Sequence, residues 1–160
     1  MSKIEALVFF HILGAFLIVA GAGVGMASGL TMSRTDSVRV IRVFSGLSHR
    51  CESFVTLPGG LVTLITGVWL IADYPFFDLD EFWLWGSIVL WGVAVILGQG
   101  VQGTFLRRLH TRARSLEQQG VETSEELRLA AAAPVGAVTG MVLTVITIVF
   151  LYLMVARPGA

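Results

Sequence analysis

Four long apolar segments, separated by polar connections of contrasting charge, confine this chain to a narrow class of structures. They run over residues 4–30, 51–72, 82–104 and 134–155. Each reaches the roughly 20 residues that a helix needs to cross a hydrocarbon core about 30 Å thick. Lipid offers no water to a free N–H or C=O, so segments of this length must be helices that satisfy their own backbone. Of the 160 residues, 55% are hydrophobic and 14% charged, against about a quarter charged in a soluble domain. The expected fold is therefore all-α: one four-transmembrane-helix bundle spanning residues 1–160, with cytoplasmic helical extensions. Net charge is zero, so nothing points to nucleic acid as a partner. The single cysteine, Cys51, makes no internal disulfide and offers no thiolate cluster for a metal.

The basic residues set a direction. Arg34, Arg39, Arg42 and Arg50 follow the first segment, and Arg107, Arg108, Arg112, Arg114 and Arg128 follow the third. The connection between the second and third carries Asp73, Asp78, Asp80 and Glu81 with no base. By the positive-inside rule, loops 31–50 and 105–133 are cytoplasmic and both termini lie outside, in a bacterial cytoplasmic membrane. Ala20-Gly21-Ala22 has the form of a signal-peptidase site. The apolar run continues past it, beyond the length of a signal core, so the first span is expected to be retained.

The connections carry local signals. Val38, Ile41, Phe44 and Leu47 recur at helical spacing among arginines, the pattern of a helix that lies on an anionic leaflet or extends span two into the cytoplasm. Gly120 is a stop signal for helix three. Thr123 stands three before Glu126, the spacing of a capping box, with helix four starting near Ser124. Pro134 should kink that helix. Tyr74, Trp83 and Trp85 sit where an aromatic belt belongs, and Asp78 and Asp80 are candidate N-caps. Gly21, Gly25 and Gly29, with Gly136 and Gly140, form small-xxx-small rows that let helix backbones approach. Gly67 adds a small position in span two. A tight bundle is expected, and such rows also serve homo-oligomers.

His11 is the side chain with most chemical interest. Gly14, Ile18, Gly21 and Gly25 follow it at spacings of three and four, so it shares the packing face and points into the bundle. An ionisable residue in a membrane helix is a functional candidate; the plainer reading is a histidine bonded to a neighbouring helix. His49 and His110 belong to the other side, roughly 25 Å or more away along the membrane normal. Neither can share a haem iron with His11. The two can approach each other at the cytoplasmic surface near Cys51, where solvated histidines are commoner than metal sites. Glu5, Asp73, Asp78, Asp80 and Glu81 read as caps or solvated charges. Gln99 and Gln102, one turn apart in span three, are polar residues inside the membrane expected to bond across helices. Trp69 and Trp91 read as packing residues. Gly98 to Gly103 has a dinucleotide-like look, but no strand precedes it and its glycine spacing is wrong.

Phe10-His11-Ile12-Leu13-Gly14-Ala15, and Leu57-Pro58-Gly59-Gly60-Leu61 leading to Thr66-Gly67-Val68-Trp69-Leu70, resemble the first and second helices of an uncharacterised bacterial integral-membrane family. That family is similar to the CopD-like superfamily, which takes in the four-helix HemJ type of protoporphyrinogen oxidase. The resemblance implies a role for His11 as a haem or copper ligand. The HemJ type also relies on a membrane-embedded lysine, whereas Lys3 is the only lysine here. Pro58 and Gly67 match the pattern as structural positions.

Three functions follow. The first is a small bundle without catalytic activity of its own that supports or assembles another membrane system, its partners being the bilayer and a membrane complex. The second is a haem- or copper-handling protein with His11 as cofactor or metal ligand. The third is a small transporter or proton path through His11 and Gln99.

Overall fold

The structure, a computed structural model, describes residues 2–73 and 82–156. These form four long helices: α1 (Lys3–Ser33), α2 (Val38–Asp73), α3 (Phe82–Gln118) and α4 (Glu125–Ala156). Each contains a stretch long and apolar enough to cross a membrane, and the chain is an all-α four-helix membrane protein. α1 starts, α2 ends, α3 starts and α4 ends at one end of the bundle, the terminal end. The arginine-rich turns lie at the other, the basic end. Tyr74, Asp78, Asp80 and Glu81 fall outside the described residues.

A capping box opens α1: the Glu5 amide donates to Ser2 Oγ at 3.2 Å, and the Ser2 amide donates to Glu5 Oε2 at 2.9 Å. Lys3 Nζ lies 2.6 Å from Asp73 Oδ2 and 5.1 Å above the Trp69 ring, tying α1 to α2 at the terminal end. Deeper in, the two backbones touch. A Cβ on Gly14 would stand 2.6 Å from the Gly59 carbonyl oxygen, and one on Gly59 would stand 2.7 Å from Leu17 Cβ. At that separation only glycine fits, and dispersion between the helices replaces the hydrophobic drive that lipid removes.

Two of the four helices contain a π turn. In α2 it covers Glu52–Thr56, where the Leu57 amide donates to the Glu52 carbonyl. The cause stands just beyond it. Pro58 has no N–H to offer the Phe54 carbonyl, and its ring crowds that oxygen. Widening the preceding turn removes the clash without breaking the helix. In α3 the π turn covers Ile96–Gln102, and the Gly103 amide donates to the Gly98 carbonyl. Gly98 and Gly100 supply the backbone latitude there.

The basic end holds a compact apolar core. Met32, Val38, Ile41, Leu106, Leu109, Ala113 and Leu127 are all buried together. This settles how the amphipathic segment is used: it is the first part of α2, and its apolar face packs on α3 rather than on a leaflet. Val38 and Ile41 are inside, but Leu47 is 49% exposed, because the buried line runs through Ser45 and Ser48 instead. The two turns also join, with the Val38 amide donating to Glu122 O at 3.0 Å and the Ser124 amide to Asp36 O at 2.9 Å.

α3 stops as its glycine dictates. Gly120 has φ of 76°, its amide donates to Glu117 O, and the Val121 amide donates to Leu116 O, the double bond of a Schellman motif. The cap of α4 falls one residue later than the spacing suggested. Ser124, not Thr123, accepts from the Leu127 amide, and Glu126 instead pairs with Arg112. Arg128 bonds Glu125 and holds its carboxyl below the usual range. That contribution is present above the ordinary carboxylate range and is lost as pH falls through the lowered value; fully exposed, it is small. Pro134 does more than kink α4. The first part ends at Ala131 and the second begins at Pro134, the first-turn position where a missing N–H does no harm. At the terminal end Trp83 is buried with Leu84 and Leu153, so it packs between α3 and α4 rather than joining a lipid-facing belt; Trp85 is exposed.

Ile41→Ala should lower unfolding free energy by about 2–5 kcal/mol, read as an earlier unfolding midpoint in detergent. Leu47→Ala, on the exposed face of the same segment, should change it little. Equal midpoints for the two variants would refute the packing described.

Candidate functional site

The glycine rows behave unevenly, and that unevenness makes a site. Gly21 meets the Thr56 side chain, and a Cβ on Gly136 would lie 2.5 Å from the Phe105 ring. Gly25, Gly29 and Gly140 have nothing within 4 Å of where a Cβ would stand. The expectation of close backbone approach along both rows fails at these positions. α4 stays in contact with α1, and at Gly25, Gly29 and Gly140 the missing side chains leave space. The result is an open cavity of about 480 Å³, lined by residues of all four helices in the basic-end half of the bundle, with Met26 and Met141 of its lining exposed at the bundle surface. That volume is within the range of small-molecule sites, roughly 300–1,000 Å³.

Its wall is mostly apolar, with Trp91, Met26 and the open glycines among its residues. The polar groups cluster on the facing π turns of α2 and α3. Gln99 Nε2 donates to Glu52 Oε1 at 3.1 Å, and Glu52 Oε1 would lie 2.9 Å from a Cβ on Gly98. The glycine at 98 is what lets the carboxylate reach across. Ser48 lies one turn before Glu52, and Gln102 one turn after Gln99, on the same faces. Because α2 and α3 run in opposite directions, both are displaced toward the basic end. Ser48 Oγ and Gln102 Oε1 are buried and have no hydrogen-bond partner among the described residues. An unmet buried polar group costs about 1–3 kcal/mol, so these atoms suit a ligand or water. Of this set the sequence reading found Gln99 and Gln102 and overlooked Glu52. The available signal was an acid adjoining the apolar run from Phe54 to Ala72.

His11 occupies a different place. Its Nδ1 lies 3.3 Å from Thr66 Oγ1, and the ring rests where a Gly67 Cβ would be, 3.0 Å from Cε1. The Thr66 hydroxyl donates to Val62 O at 2.6 Å, so it accepts from His11. That contact favours the tautomer with the proton on Nδ1 and a lone pair on Nε2. His11 is about 10 Å nearer the terminal end than Ile18, where the cavity wall begins on α1. His11 and Gln99 therefore do not share one site. At the basic end His110 Nδ1 lies 3.0 Å from Arg42 O, and its ring abuts Gly46. Arg42 in turn pairs with Glu117 at 2.6 Å. No group of three or more His, Cys, Asp or Glu side chains among the described residues is placed to hold a metal ion. Among the described residues, neither His11 nor the His49, His110 and Cys51 region makes a complete metal site.

A family model described as "Predicted integral membrane protein (DUF2269)" matches residues 5–158. The chain belongs to that family. No curated protein and no solved structure matches it. The match covers all four helices of the DUF2269 chain, the cavity and His11 alike, and carries no activity with it.

A double-mutant cycle on Glu52→Leu and Gln99→Leu should show a coupling of about 1 kcal/mol in unfolding free energy. Strict additivity would mean that the α2–α3 bond does not form in the membrane.

Proposed function

We propose that this protein is a non-catalytic binding protein of the membrane, holding a small, mostly apolar molecule between its helices and serving a larger membrane system as an accessory component. The observation that carries this reading is the cavity itself, with open glycines on two helices and unmet polar atoms on the other two. Glu52 and Gln99, bonded to each other, form a fixed polar edge that orients an occupant.

Filling the space tests the proposal. Gly25→Leu and Gly140→Leu each add a side chain where a Cβ meets nothing within 4 Å, so both variants should fold. Native mass spectrometry of the detergent-purified protein should show a small-molecule adduct that the double variant loses. Identical spectra for the two proteins would sink the reading.

The arginine distribution supports a bacterial cytoplasmic membrane with the termini outside and the cavity in the cytoplasmic half. Single-cysteine labelling reads this directly. With Cys51 replaced by Ser, a cysteine at Ser2 should react with an impermeant maleimide from outside intact cells, and one at Gly120 only after lysis. The reverse pattern would invert the assignment.

Haem or copper handling through His11, which kinship with CopD-like proteins would bring, is the second reading. The observation in its favour is the contact with Thr66: its hydroxyl, already donating to Val62 O, can accept from Nδ1–H, the tautomer in which Nε2 keeps a lone pair for a metal. The remaining ligands would come from outside the described residues of one chain. His11→Ala should then abolish a Soret band or stoichiometric copper in the purified protein; a colourless, metal-free wild type would end this reading.

A further inference from the structure

The polar edge of the cavity has a definite chemical sense. Glu52 contributes a carboxylate, and no Lys, Arg or His nitrogen among the described residues lies within 4.0 Å of it. Gln102 presents a bare carbonyl oxygen and Ser48 a bare hydroxyl oxygen. The cluster therefore offers acceptor oxygens, and no protein cation among the described residues stands against the Glu52 carboxyl to balance its charge when ionised. Glu52 also stands at the border of the apolar run of α2, while the cavity extends from there along α1 to Ile18. Acceptors sit at the membrane–water border, and apolar wall lies behind them.

We propose that the occupant is an apolar amine in its protonated form, its ammonium group against Glu52, Ser48 and Gln102 and its hydrocarbon body among Gly25, Gly29 and Gly140. This deepens the binding reading above and rests on it. An ammonium group carries donors and no acceptor, which matches the Glu52 carboxyl and the Ser48 hydroxyl, one turn apart on α2, and the Gln102 carbonyl on the facing helix. A charged carboxylate beside apolar surroundings is costly unless paired and hydrogen-bonded. The amide of Gln99 supplies one bond, and the ligand supplies the opposite charge. Bonds between two ions are roughly twice as strong as neutral ones. An anionic ligand would face repulsion from Glu52. A neutral one would leave the charge uncompensated.

Three probes of one shape separate the terms: 1-aminoadamantane, 1-adamantanol and adamantane-1-carboxylate. Binding is measured by calorimetry on the full chain in nanodiscs, with empty nanodiscs subtracted. The amine should bind at least about tenfold more tightly than the alcohol, since one ionic hydrogen bond of about 1.5–3 kcal/mol separates them, and the carboxylate should bind least. Glu52→Gln, close in size to the native residue, should remove the amine's advantage over the alcohol. Gly25→Leu with Gly140→Leu should remove binding of all three. If the probes bind alike and Glu52→Gln changes nothing, the amine assignment is wrong and the cavity reading stands. If none binds to the wild type, both fall. Circular dichroism and the unfolding midpoint of each variant separate lost binding from lost folding.

Discussion

A helix in lipid cannot break its backbone hydrogen bonds cheaply, because nothing in the hydrocarbon replaces them. Every irregularity that this sequence imposes is absorbed under that constraint. Pro58 removes one donor from the middle of α2, and the helix responds by widening at Glu52–Thr56 instead of ending. Gly98 and Gly100 allow the same at Ile96–Gln102 in α3. The break in α4 falls at Ala132 and Ala133, at the basic end. The two π turns then face each other, and the side chains they redirect, Glu52 and Gln99, meet. The candidate site is a consequence of how the backbone was kept satisfied.

Different forces hold the two halves of the molecule. At the basic end, helix extensions meet in water and bury Ile41, Leu109 and Leu127 as a soluble domain would. Within the apolar spans that drive is absent, and cohesion comes from close contact at Gly14 and Gly59 and from bonds such as His11 to Thr66. The first region sets the spacing of α2 and α3. The second fixes α1 on α2. α4 contacts α1 as well, and the space beside them is the one left by Gly25, Gly29 and Gly140.

Spans, helix stops and the membrane class were legible in the sequence because they depend on local properties: length of apolar run, charge in the turns, Gly120, Pro134. His11 was legible as a bundle-facing residue for the same reason, since helical periodicity places it beside Gly14 and Gly21. Glu52 was not. An acid at the edge of an apolar run looks like an ordinary boundary charge until a helix some 47 residues away in sequence offers it an amide. The glycine rows misled for a related reason. A missing side chain permits contact or leaves a void, and only the neighbour decides. At Gly21 the neighbour is Thr56; at Gly25 there is none within 4 Å.

The sequence alone determined an all-α, four-span membrane protein and the segregation of its basic residues, since hydrophobic transfer and backbone satisfaction in lipid act on each segment by itself. Membership of the DUF2269 family, which a match over residues 5–158 establishes, adds no activity to that. Tertiary structure decided which amphipathic face met which helix, which glycines closed and which stayed open, and that Glu52, Ser48, Gln99 and Gln102 share one edge of a cavity. Those outcomes depend on pairs of residues distant in the chain, whose spatial meeting no local periodicity encodes.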